Sequence, residues 1–376
     1  MAASLPQSFS ARLARVWERK LSGAGLGGIA ATEKYVIFGD RDLNNLKDVF
    51  HCLAAADGSP VWTVEYPALG ELDYGNTPRA TPLIYGEHVY LLGAFGDLQC
   101  VKLAGGEIVW KRNLRLDFGV DDELIWGNCS SPLIADDKLI VNPGAKQASL
   151  VALDPLTGKV VWQTPGAPHG YGSLIVAALG GVQQIVGHDR ESLGGWDAAT
   201  GKRIWTVKPP AAGDFHVPTP VVVGERLMVV SENNGSRLFR FADAGKIVPE
   251  SVAENLDLAP DMTTPVVVQG RVFCVWRKLF CLDAATLDTR WTARDDALAE
   301  YCALIAGGDR VLIVGAGGRL LLVDARADEM KVVSRLTIFG ADEQNVEVYS
   351  HPVLVGSRLY IRGETSLVCV DLSDER

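Results

Sequence analysis

One phrase, apolar-x-apolar-Asp/Ala-x-x-Thr/Asp-Gly-x-x-x-Trp, recurs along the 376 residues and limits what they can build. The copies read CLAAADGSPVW ending at Trp62, VKLAGGEIVW at Trp110, VALDPLTGKVVW at Trp162, GWDAATGKRIW at Trp205 and CLDAATLDTRW at Trp291. FRFADAGKIV near Val248 and LLVDARADEMKVV near Val333 are weaker copies, and VWERKL leaves an unpaired Trp17 at the start. Successive anchors lie 42 to 52 residues apart, room for one four-stranded meander. In the second unit the strands read TPLIY, HVYLLG, LQCVKL and EIVW, joined by glycine turns.

The last segment, HPVLVGSRLYIRGETSLVCVDL, has only three strands, and VWERKL is a lone fourth. Pairing them makes an eighth unit from about 350–372 plus about 15–21. The expectation is therefore an all-β, eight-bladed β-propeller of four-stranded antiparallel blades, one domain over 1–376, its last blade closed by the N-terminal strand. Stacked sheets account for the 48% hydrophobic content, the 39 Gly and 18 Pro for the turns between them. Trp residues at repeat ends are expected to pack between blades. Ser131-Pro132, Thr219-Pro220, Thr264-Pro265 and His351-Pro352 mark strand starts, where proline is tolerated.

A net charge of −10 without a basic run speaks against nucleic acid, and no apolar stretch reaches 18 residues, so no membrane span is expected. Arg12, Arg15, Arg19 and Lys20 interrupt the apolar core that a signal peptide needs. As it stands the sequence reads as cytoplasmic; with an export signal ahead of it, it would be periplasmic. Seven Cys without a C-x-x-C read as reduced, core-filling thiols.

The phrase L-D-x-x-T-G-K-x-x-W, preceded by T/S-P-V-V-x-G-x-R-V, resembles the repeat of the PQQ-like propeller family, which includes quinoprotein alcohol dehydrogenases and the propeller subunit of the outer-membrane assembly machinery. GDRDLNNLKDVFHCL, DYGNTPRATPLIYG, WGNCSSPLI and LIVNPGAKQASLVALD resemble a group of bacterial, planctomycete-type repeat proteins of unsettled activity. The resemblance implies the fold. The dehydrogenases it points to carry an adjacent Cys-Cys pair beside the quinone and a calcium held by carboxylates and amides. This chain has no Cys-Cys dipeptide and no C-x-x-C-H for haem, so PQQ is not the expected cofactor. The assembly-factor branch carries a lipidated Cys after an export signal, and no such pair stands here.

The loops between second and third strands and the loops entering each inner strand open on one face around the channel, the entering loops being 65–81, 115–131, 165–172, 208–219, 255–264, 295–301 and 339–351. His169, His188, His216 and His351 fall there, four of six histidines. His169, His216 and His351 are candidate acid/base groups or, with Glu300, Glu347 or Asp261, ligands for a divalent metal; strand capping explains them equally. Arg79 is a candidate carboxylate or phosphate binder, with an ion pair to Asp73 or Glu347 as its structural alternative, and Tyr301 a candidate catalytic phenol. Asp73, Tyr74, Trp126, Asn128, His188 and Arg190 are candidate ligand-binding residues, with Tyr171, Phe215, Asn76 and Asp214 beside them. The Gly39–Asp42 stretch and Lys47 read as a projecting, solvated rim. There is no G-x-S-x-G, Walker A, H-E-x-x-H or EF-hand loop.

Two functions follow. The first is a binding or scaffold propeller that takes a small molecule, carbohydrate or protein on the loop-rich face. The second is an enzyme with an axial His/Arg/carboxylate site acting on a carbohydrate, as a lyase or isomerase.

Overall fold

The computed structural model describes residues 5–10, 14–23, 25–121, 124–339 and 347–373. It is an eight-bladed propeller, each blade a four-stranded antiparallel sheet. Blades 1 to 7 occupy 30–67, 83–113, 133–164, 175–207, 221–255, 266–293 and 302–337. Blade 8 takes strands from 353–371 and its outermost strand, Ala14–Lys20, from the N-terminus. Trp17 pairs there with Cys369.

Alternation along each strand divides its side chains between two seams. In the third strand of blade 6, Leu279 and Cys281 pack toward blade 7, while Phe280 and Leu282 pack toward blade 5. Eight buried apolar clusters result, one for each seam of the ring. The seven cysteines are free thiols, and all but Cys129 are buried.

The Trp–Gly phrase locks neighbouring blades. Gly158 sits in a left-handed turn (φ 68°), where a Cβ would lie 2.7 Å from the ring of Trp110 in the preceding blade. The indole then donates to Pro155 O (2.8 Å). Trp17, Trp62 and Trp162 repeat the arrangement on Gly58, Gly106 and Gly201. Only glycine gives both the backbone conformation and the space. Hydroxyl side chains at the inner-strand starts also bridge blades. Thr81 N–H donates to Ser131 Oγ (3.0 Å), Ser131 N–H to Ser173 Oγ (3.1 Å) and Thr219 N–H to Thr264 Oγ1 (3.1 Å). These bonds tie consecutive inner strands around the axis.

Two expectations need correction. The outer strand of blade 5 is Ala253–Asn255, not the segment near Val248. The chain there turns through a 3-10 helix, Asp243–Gly245, and Trp205 donates instead to Gln184 Oε1 (2.6 Å), which passes the contact to Gly245 O (3.1 Å). Nor is Gly39–Arg41 a solvated rim: it ends the strand Tyr35–Arg41, with Asp40 and Arg41 buried. Asp40 pairs with Arg362 of blade 8 (2.8 Å) and Arg41 with Asp48 (2.5 Å). Arg362 also donates to Gly39 O and to Gly23 O (3.0 Å), so one buried guanidinium bolts the first blade to the last.

Candidate binding face

Four entering loops meet at the channel mouth and bring aromatic rings together. The Trp126 ring centroid lies 4.6 Å from Tyr171, 4.5 Å from Phe215 and 6.5 Å from Tyr74. Tyr74 is 81% exposed and Phe215 47%, so the cluster faces solvent. Tyr74 (φ 62°) and His216 (φ 54°) both hold left-handed backbone, strained for residues of this size.

Arg79 fixes this arrangement. Its guanidinium is buried and donates to the backbone carbonyls of Trp126, Asp73 and Gly75, the last at 2.6 Å. It joins the loops entering blades 2 and 3, and meets Asp73 through the main chain rather than the carboxylate. Asn128 is likewise structural: its N–H and Nδ2 both donate to Ala94 O (2.9 and 3.0 Å). The hairpin 232–235 of blade 5 holds the next loop. Glu232 Oε1 accepts from Phe215 N–H (2.8 Å), and the Asp214 carboxylate accepts from Asn233 N–H (2.9 Å) and Asn234 Nδ2 (2.5 Å).

The histidines divide into two groups. His169 is buried, its Nδ1 3.3 Å from Pro143 O and its Nε2 without a partner. Burial, aided by the charges of Arg190 and Arg115, pushes its pKa down to about 4. His188 and His216 stack 4.3 Å apart at 9°, and burial holds both below the usual range. His351 lies elsewhere, its Nε2 3.1 Å from Tyr301 OH and hydrogen-bonded to it. The expected ligand set of His169, His216 and His351 does not assemble: among the described residues no three His, Cys, Asp or Glu side chains come together to hold a metal. Arg190 is exposed at the rim, its N–H donating to Pro168 O (2.7 Å).

A second aromatic group lies on the loops entering blades 7 and 8. Tyr301 lies 6.0 Å from Tyr349 and edge-on to His351. Beside it a groove of about 490 Å³ is lined by Asp296, Glu300, Glu347 and Arg319. Burial, then Glu347, Glu300 and the Tyr74 phenol, push the Tyr349 pKa up. Residues 340–346 of the loop entering blade 8, like Arg12, lie outside the described residues.

The sequence reading missed Tyr349 and Glu232. Tyr349 stands on an entering loop two residues before a marked strand start, a signal that could have found it; nothing local announces that Glu232 grips Phe215.

With this geometry in place, the family comparison is decisive: residues 8–173, 146–248 and 250–376 match the PQQ_2 family, described as outer membrane protein assembly factor BamB. The chain belongs to the PQQ_2 family. Over 204 residues it is 28% identical to quinoprotein alcohol dehydrogenase PedH of Pseudomonas putida, a match covering 51% of this chain and 30% of that protein. The match thus spans less than a third of that relative's length. BamB from Moraxella catarrhalis superposes with a TM-score of 0.64 at 16% identity, over 97% of this chain and 99% of that one. Quinohemoprotein alcohol dehydrogenase ADHIIG from Pseudomonas putida HK5 gives 0.66 at 12% identity, over 98% and 76%. Such likenesses establish the fold. Among the described residues the seven thiols are free, Arg79 is engaged by carbonyls, and no three His, Cys, Asp or Glu side chains gather as metal ligands. No described helix is long and apolar enough to cross a membrane.

Proposed function

We propose that this PQQ_2 propeller is a binding scaffold that takes an extended polypeptide segment across its loop-rich face. One observation carries the reading: exposed Tyr74 and Phe215 flank Trp126 on loops already held by Arg79 and by Glu232. Rings fixed before binding lose little freedom on binding, which favours affinity. Strain at Tyr74, in a ring that packs little of its own protein, supports a role in recognition. The groove of Asp296, Glu300 and Glu347, and the net charge of −10, favour a segment with basic as well as aromatic residues. The family's description as an outer-membrane assembly factor is compatible with a polypeptide partner.

The geometry supports acid–base chemistry on a sugar less well. His169 and His216 are buried, which lowers the basicity of both imidazoles, and the guanidinium that would stabilise an enolate is engaged by Trp126, Asp73 and Gly75. The test uses fluorescent 15-residue peptides containing Trp or Phe with Lys, their Lys→Glu and aromatic→Ser counterparts, and anisotropy on wild type and on Tyr74→Ser/Phe215→Ser. Aromatic-basic peptides should bind at least tenfold more weakly to the variant, and both counterpart sets more weakly to wild type. Equal binding to both proteins, or indifference to the Lys→Glu exchange, would overturn the proposal.

A further inference from the structure

Below Phe215, in the seam between blades 4 and 5, the structure gathers buried nitrogen atoms that no protein acceptor meets. Arg237 is 6% exposed on the strand Gly235–Phe239. It lies on the side facing blade 4, as does Phe239, which packs with Val186 and Leu193 of that blade. Its guanidinium rests 5.6 Å over the Phe239 ring, and its Nε has no partner. Asp214 and Glu254 act on it only through space, the Asp214 carboxylate being engaged by Asn233 and Asn234.

His188 closes the strand Val182–His188 of blade 4, and the left-handed backbone at His216 folds its ring onto it. The two are 6% and 2% exposed, and the Nδ1 of each is buried without a partner. Gly170 makes room for the pair: a Cβ there would lie 3.4 Å from the Cβ atoms of both. The charge of Arg237 reaches both rings, while the carboxylates of Asp214 and Asp189 act on His216 with the opposite sign.

A guanidinium has only donors, and a neutral imidazole can carry its proton on Nδ1. The seam therefore offers donors and a positive charge with no acceptor committed to them, and buried donors left without an acceptor are disfavoured. We infer that this seam binds a small monovalent anion, a halide or a one- or two-carbon carboxylate, held by Arg237 together with the Nδ1–H groups of His188 and His216. The anion accepts from the guanidinium and ties blade 4 to the loop that carries Phe215.

The test is thermal unfolding at constant ionic strength, with potassium gluconate replaced stepwise by chloride, bromide or acetate. Wild type should show a saturable rise in Tm of about 2 to 4 °C, and Arg237→Gln none. No difference among the salts, or the same rise in the variant, would overturn the inference. Should Arg237→Gln fail to fold, bromide-soaked wild-type crystals decide: an anomalous peak within hydrogen-bond reach of Arg237 and one imidazole is expected, and a map without it refutes the site. No peptide enters either experiment, so this outcome is separate from that of the proposed function.

Discussion

Acid should weaken the fold through His169 by an amount the structure fixes. The imidazole is 3% exposed, and its pKa is held at about 4 against an ordinary value of 6.5. The folded state thus favours the neutral ring; the resulting stabilisation is complete above pH 6.5 and fades as pH falls from there towards 4. At pH 5 the unfolded chain carries this proton almost fully, whereas about nine-tenths of folded molecules do not, a difference of about 2 kcal/mol relative to pH 7.5. Urea unfolding of wild type and His169→Gln at pH 7.5, 6.5, 5.5 and 5.0 measures it. His188 and His216 act in the same direction in both proteins and cancel in the comparison. The gap between the two stability curves should change by about 2 kcal/mol over this range, and NMR should show the His169 ring still neutral at pH 5. Parallel curves would refute the reasoning.

Three other changes test the scaffold. Gly158→Ala brings a Cβ against Trp110 and should cost about 2 to 3 kcal/mol, whereas Gly181→Ala, equally left-handed but in open space, should cost only about 1; urea midpoints compare them. Arg362→Met strands Asp40 in the closing seam and should cost about 3 to 5 kcal/mol, part of it regained in Arg362→Met/Asp40→Asn, as differential unfolding would show. Arg79→Met releases three carbonyls at the channel mouth; peptide affinity should fall at least tenfold and Trp126 emission shift to the red, read in one fluorescence titration.

The sequence disclosed the ring because its signals are local and repeated. A Gly that must be left-handed and a Trp that must lie on it recur at fixed spacing, and the odd Trp17 completes the count only if the ends meet. Blade 5 was misplaced because Gln184, far along the chain, replaces the usual carbonyl and frees FADAGKIV from being a strand. At the channel mouth the aromatic loops were legible as loops, but burial was not. Arg79 and His216 look like exposed chemistry in NTPRATP and GDFHVP. Whether a guanidinium meets a ligand or three carbonyls depends on backbone from two different blades, which no local pattern records. Arg237, in an ordinary strand, gave no sign at all.

The pairing of Ala14–Lys20 with Ser366–Asp371 also sets an order of events during synthesis. Ala14–Lys20 is complementary to a strand some 350 residues further along, so that much chain must be made before it finds its partner. Seven blades can form and stack meanwhile, each from contiguous chain, but the toroid stays open until Ser366–Asp371 has been made. The closing step therefore has the longest loop in the molecule, and until it occurs the edges of blades 1 and 7 are the surfaces that most need guarding from other chains.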